Sequence, residues 1–247
     1  MDMSMVASYA AIGLVTGIAS GMFGIGAGSI RIPLLLFTGM PLLNAFATNM
    51  VAIPFSTLVG AYMHRAKIQW DIVKSFTAGG LCGIILATYL VGVAPSSVLA
   101  LVFLLAAVLT AIGLYLDKIS ATVYDRLRPT PHNLFIGAFF GNVLIGMRGG
   151  SGGTLFPPIL RSMHVRMHCA IATSLVASFF CSLVALSGYI YRGDALIAPG
   201  LILSATAMAG SYIGSIIAIN TEGRWLKMGL SMLVLTLACY VVYSEFA

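Results

Sequence analysis

Charge is what this chain has least of: its 247 residues carry 13 Lys and Arg and 7 Asp and Glu, 8% in all. A soluble domain carries about 25%, so this sequence cannot cover a water-facing surface. With 60% hydrophobic residues and a mean hydropathy of +1.02 it reads as an integral membrane protein. The net charge of +6 then concerns topology and anionic lipid; it does not call for a nucleic-acid partner. Acidic residues are the scarcer of the two signs. Asp2, Asp71, Asp117, Asp125, Asp194, Glu222 and Glu245 all lie away from the middle of an apolar segment. That leaves no acidic pair or nucleophile–base arrangement for catalysis, and no obvious intramembrane carboxylate of the kind proton pumps use.

Cysteine and histidine are equally uninformative as chemistry. Cys82, Cys169, Cys181 and Cys239 form no CxxC pair and read as small packing residues. His64, His132, His164 and His168 lie near segment ends and read as interfacial or loop histidines. No His/Cys/Asp/Glu grouping has metal-ligand spacing, so neither a metal nor a cofactor is expected. Met1–Met5 has no basic stretch of the kind that opens a cleavable signal peptide, so the first apolar segment is expected to be a retained span.

What is present is hydrophobic length. A spanning helix needs about 20 apolar residues. Eight segments meet or approach this: 4–22, 42–63, 71–93, 96–116, 132–147, 168–190, 195–219 and 225–244. Two more, Ile30–Gly39 and Leu155–Met163, are too short for ordinary spans. Between the fourth and fifth segments the prolines and charges of Asp117–His132 mark an exposed connection. This divides the chain into an N-terminal half (1–116), a charged linker (117–131) and a C-terminal half (132–247).

Glycine is abundant, and it repeats. Gly21-Met-Phe-Gly-Ile-Gly-Ala-Gly28 runs on to Pro33 and Ala45-Phe-Ala-Thr48. At an offset of 125 residues, Gly146-Met-Arg-Gly-Gly-Ser-Gly-Gly153 runs on to Pro158 and Ala170-Ile-Ala-Thr173. Each cluster precedes one of the short apolar stretches. Lys and Arg collect on the cytoplasmic side of membrane proteins, which tests whether those stretches cross. Setting aside Arg31 and Arg148, eight spans place seven of the remaining cations on one side and four on the other. Ten crossings place all but Arg192 on one side. Five crossings per half would invert the second half relative to the first and put both termini outside the cytoplasm. The expected fold is therefore an all-α polytopic membrane protein of two inverted repeats. It has eight long transmembrane helices plus two short broken crossings, with re-entrant elements as the alternative. Ile25–Met40 would reach only about 24 Å as continuous helix, so its crossing must be broken.

Inverted repeats with Gly/Pro-interrupted segments at matching places point to a transport site between the halves. Dense glycine disfavours continuous helix and lets backbone approach a ligand. A helix starting near Ser29 or Thr154 would aim free N–H groups and a positive dipole end at the break, a natural anion site. The candidate substrate-binding residues are Gly24, Gly26, Gly28, Ser29, Arg31, Thr48 and Asn49 in the first half. In the second they are Arg148, Gly149, Gly150, Ser151, Gly152, Gly153, Thr154, Thr173 and Ser174. Arg148 could fork onto a sulfonate or carboxylate or snorkel to lipid phosphate. The hydroxyls and amides of Thr48, Asn49, Thr173, Ser174 and Asn142 could ligate an anion or hold helices together. Gly13/Gly17/Gly21, Gly79/Gly83 and Gly210/Gly214 have the spacing of close helix packing instead.

The duplicated Gly-x-x-Gly-x-Gly-x-Gly-x-x-x-x-Pro, read at Gly21–Pro33 and Gly146–Pro158 and followed by Ala-x-Ala-Thr, resembles the TauE/SafE family of sulfite exporters. The resemblance covers nearly the whole chain. It implies a carrier of the cytoplasmic membrane for sulfite, organosulfonates or related small anions. The family usually has an apolar residue at Arg148, an aliphatic one at Arg31, and often Gly at Ala27 or Ser151. These departures fall at the inferred site and suit a larger or more strongly charged organic anion. The expectation is a secondary transporter of a small anion working by alternating access, with a passive anion channel as the rival. Its partners would be the anion and the lipid bilayer, and the sequence leaves a homodimer open.

Overall fold

The computed structural model describes residues 2–91, 105, 108–109, 112–116, 119–147, 149–152 and 154–246. Among them there is no strand. The helices are α1 (Met3–Phe23), α2 (Gly28–Phe37), α3 (Leu42–Met63), α4 (Trp70–Leu90), α5 (Ala121–Arg126), α6 (Pro131–Gly146), α7 (Phe156–Ser162), α8 (Met167–Tyr191), α9 (Ile197–Ile219) and α10 (Gly223–Phe246). Five of these, α1, α3, α4, α8 and α9, are long and apolar enough to cross a membrane.

The expected segments map onto these elements with informative differences. The stretches 4–22, 42–63, 71–93, 168–190 and 195–219 correspond to those five helices. The segment 132–147 forms α6, only 16 residues long and so about 24 Å. The segment 225–244 lies within α10, and most of 96–116 falls outside the described residues. The two short stretches form α2 and α7, of 10 and 7 residues. Inside the linker, expected to be an exposed connection, the six-residue α5 forms between its charges.

Local chemistry explains the breaks. The helix α1 stops at Gly24, whose left-handed φ of 71° lets its N–H cap back onto the Ser20 carbonyl at 3.0 Å. Ala27 adopts the same left-handed region at φ 51° just before α2 begins. The start of α6 is fixed by Pro131 and by Thr130, whose hydroxyl accepts from the Asn133 N–H at 3.3 Å. Pro157 and Pro158 occupy the first turn of α7, where a missing N–H is harmless.

Packing is reciprocal between the halves. The helix α1 lies along α9, and α4 lies along α6. At the centre α3 meets α8, and these two are the most buried of the apolar helices, 67% and 72% along their apolar windows against 44% for α1, α4 and α9. The short helices rest on the central pair, α2 on α3 and α7 on α8. Close approach depends on the glycines whose spacing suggested it. A methyl on Gly17 would sit 2.7 Å from the Ala207 Cα, and one on Gly13 2.8 Å from the Leu203 carbonyl oxygen. Gly210 and Gly214 abut the backbone of α1 in return, while Gly79 and Gly83 abut Phe135 and Phe139 of α6.

Candidate functional site

The two glycine clusters touch. A β-carbon on Gly26 would lie 2.9 Å from the Ser151 carbonyl oxygen, and one on Gly28 3.4 Å from the Gly150 Cα. Residues Gly24–Gly28, Gly149, Gly150, Ser151 and Gly152 are all buried. The contacts are also exchanged. Gly24 faces Ile171, 2.8 Å from its Cα, while Gly149 faces the ring and Cβ of Phe46. Gly24 and Gly149 are counterparts at the repeat offset, and so are Phe46 and Ile171. Both glycines have φ of 71°, a conformation that costs other residues about 1–2 kcal/mol.

Arg31, on the first turn of α2, is completely buried. Its Nε donates to Thr16 Oγ1 of α1 at 3.0 Å, and its Nη1 donates to Asn49 Oδ1 of α3 at 3.0 Å. Nη2 is buried and has no partner. No carboxylate pairs with Arg31 among the described residues; the ion pairs there are Arg192–Asp194 and Arg224–Glu222. A buried cation without a counter-charge costs several kcal/mol. The start of α2 has no side-chain cap, so the positive end of its dipole adds to the guanidinium.

Asn49 carries this network across to the other half. Its Nδ2 donates to the Gly149 carbonyl at 2.7 Å. Thr16, Arg31, Asn49 and Gly149 thus form one chain of hydrogen bonds linking α1, α2 and α3 to the second glycine cluster. That second cluster is held by Asn142 of α6. Asn142 Oδ1 accepts the Gly152 N–H at 2.6 Å, and its Nδ2 donates to the Gly80 carbonyl at 2.8 Å. Ser151 Oγ donates to the Ser178 carbonyl at 3.2 Å, so this hydroxyl is engaged with backbone.

The other expected residues divide. Thr48 and Ser174 are buried with unpartnered hydroxyls. Thr173 Oγ1 accepts the Gln69 N–H at 3.4 Å, which ties α8 to the start of α4. Ser29 and Thr154 are buried beside the clusters. Arg148 and Gly153 lie outside the described residues. The position matching Arg31 in the second half is Phe156, which packs edge-on against Phe76 at 4.7 Å. Among the described residues, the charge in this region therefore belongs to the first half. Thr16 was missed by the sequence reading: its signal, one of several hydroxyls in the apolar α1, does not distinguish it from a serine or threonine bonding its own helix. It does that too, to the Ile12 carbonyl at 2.7 Å.

The family model described as "Sulfite exporter TauE/SafE" matches residues 9–241. A protein called "Probable membrane transporter protein" from Xylella fastidiosa strain 9a5c is 37% identical over 30% of this chain and 29% of its own length. One of the same description from Haemophilus influenzae is 24% identical over 60% of this chain and 58% of its own. The chain therefore aligns with between about three tenths and six tenths of the length of these relatives. No solved structure matches.

Proposed function

Since the chain belongs to the TauE/SafE family of membrane transporters and is a multi-pass membrane protein, we propose that it is a secondary carrier for a small anion. The substrate class is sulfite, an organosulfonate or a related sulfur-containing or carboxylate anion. Transport proceeds by alternating access between two inverted halves, with the two short helices completing the crossings. The single observation that carries this reading is Arg31: a fully buried guanidinium with one open donor edge and, among the described residues, no carboxylate partner. An anion is the counter-charge that such a site lacks.

In this reading the anion sits where the glycine clusters meet, in reach of Arg31 Nη2 and the positive end of α2. Arg148 adds charge from the second half, and Thr48 and Ser174 supply neutral donors. Their buried, unpartnered hydroxyls support that role. The reciprocal packing of α1 on α9 and α4 on α6 supports the two-fold relation of the halves. The closeness of the clusters, 2.9 Å from a Gly26 β-carbon to the Ser151 oxygen, favours a carrier over an open channel.

Uptake into proteoliposomes tests the assignment, with sulfite, taurine, sulfoacetate and short carboxylates as substrates. The carrier predicts saturable uptake with trans-stimulation for at least one of them. Arg31→Gln should lower that uptake about 10- to 100-fold, the value of a charged hydrogen bond, at comparable folded yield. Undiminished uptake in the variant removes Arg31 from the site, and non-saturating current without trans-stimulation makes the protein a channel.

A further inference from the structure

A second cationic place lies away from the glycine clusters. A cavity of about 570 Å³ is lined by Tyr115, Arg161, Arg166, Met167, His168, Gly223, Arg224, Lys227 and Met228. Arg161, Arg166, Arg224 and Lys227 bring four basic side chains to it, and Glu222, next to Gly223, is a carboxylate at its edge. Glu222 pairs with Arg224 at 2.6 Å, both side chains being largely exposed, so it neutralises one cation weakly. Lys67 and Arg166 both bear electrostatically on His168, so positive charge extends beyond the lining itself.

The geometry of the lining is ordered rather than diffuse. Lys227 Nζ stands 4.2 Å above the Tyr115 ring, and Arg161 Nη1 donates to the Tyr124 hydroxyl at 3.2 Å. Two long helices start at the cavity: α8 at Met167, with no side-chain cap, and α10 at Gly223. Their dipole ends add to the positive potential. Met167, Met228 and the Tyr115 ring make the remaining wall apolar. Arg161, Arg166, Arg224 and Lys227 also fall together on the expected cytoplasmic side of the bilayer.

We propose that this cavity binds a phosphate group at the membrane boundary through Arg161, Arg166, Arg224 and Lys227. Guanidinium groups fork onto phosphate oxygens and an ammonium adds a point charge. An apolar wall beneath a cationic rim at the ends of membrane helices suits the headgroup and upper acyl chain of an anionic phospholipid. Free phosphate has the same chemistry without the chain. The site is separate from the anion site proposed above and does not depend on it, because binding rather than uptake is the readout.

The full-length protein in neutral detergent is titrated, by thermal unfolding, with short-chain phosphatidylglycerol, inorganic phosphate and short-chain phosphatidylcholine. Phosphatidylglycerol should raise the unfolding midpoint with saturation, and phosphatidylcholine should not. Arg166→Gln with Lys227→Gln should weaken the response about 30-fold, taking two surface charges at about 1 kcal/mol each. If the pair does not fold, Lys227→Gln alone should weaken it about 5-fold on the same basis. A response to phosphatidylglycerol alone assigns the site to lipid, and a response to inorganic phosphate as well assigns it to phosphate in general. No response to either, or an equal response in the variants, overturns the proposal.

Discussion

Arg31 and Asn49 meet at 3.0 Å, and the same asparagine side chain reaches 2.7 Å to the Gly149 carbonyl of the other glycine cluster. One amide therefore orients the buried cation and fastens the two clusters together. Asn49→Leu should leave the Arg31 Nη1 and the Gly149 oxygen without partners, each costing about 1–3 kcal/mol, and should lower the thermal midpoint sharply. Asn49→Asp gives up the donor to Gly149 but supplies Arg31 with a counter-charge from within the protein. The variant should therefore be less stable than the wild type, yet its folded fraction should lose stabilisation by any anion that protects the wild type. If Asn49→Asp keeps that protection undiminished, the open edge of Arg31 is not where the anion binds.

The exchanged contacts at the clusters can be tested by a double-mutant cycle. Gly149→Ala meets two obstacles, the Phe46 side chain and a φ of 71°. Phe46→Ala removes the first only. The double variant should regain most of the stability lost to the clash and remain about 1–2 kcal/mol below Phe46→Ala alone. Simple additivity in denaturant or thermal unfolding would show that Gly149 and Phe46 do not press on one another.

Helix packing gives a contrast between glycines. Gly17→Ala and Gly79→Ala each push a methyl into the backbone of a facing helix, at Ala207 and at Phe135. Each should cost about 1–3 kcal/mol as overpacking. Gly39→Ala meets nothing within 4 Å but has a φ of 83°, so its cost should be limited to the backbone, about 1 kcal/mol. Ranking the midpoints of the three variants checks this, and a Gly39 variant as unstable as Gly17→Ala would contradict it.

His64, just past α3, is 1% exposed and its Nε2 donates to the Gly21 carbonyl at 3.1 Å, while its buried Nδ1 has no partner. Burial lowers its pKa from the usual 6.5; the Gly21 bond opposes this and nearby His168 reinforces it. The folded state thus prefers the neutral ring, whereas the unfolded chain protonates near its ordinary pKa. This contribution is fully present above about pH 6.5 and is lost as pH falls through the unfolded value toward the folded one. His64→Gln should flatten the acid side of the stability–pH curve, measured as thermal midpoint between pH 5 and pH 8.

Some of this molecule was readable from residue order because the physics involved is local. Glycines at four-residue spacing (Gly13, Gly17, Gly21) announce close helix contact, and they lie against α9. Dense glycine announces a break, and α2 starts at Gly28, one residue from the expected Ser29. The helix α7 starts at Phe156, two residues past Thr154, because Pro157 and Pro158 belong in its first turn. What stayed hidden depends on partners far apart in the chain. Arg31 acquires its setting from Thr16 and Asn49, 15 and 18 residues away, and Asn49 from Gly149, 100 residues away. Nothing local distinguishes an arginine that enters such a network from one that snorkels to an interface. Similarly, the described asymmetry of the two clusters sets Arg31 against Phe156, a difference whose setting only the contacts make visible.

The pairing of α1 with α9 also governs the order in which the protein is assembled. The helix α1 is made well before α9, yet its glycine-lined face is fitted to it. During synthesis that face must wait against lipid or an insertion chaperone until α9 exists. Its docking is then a closing step, and a chain arrested before α9 would leave the face of α1 without this partner.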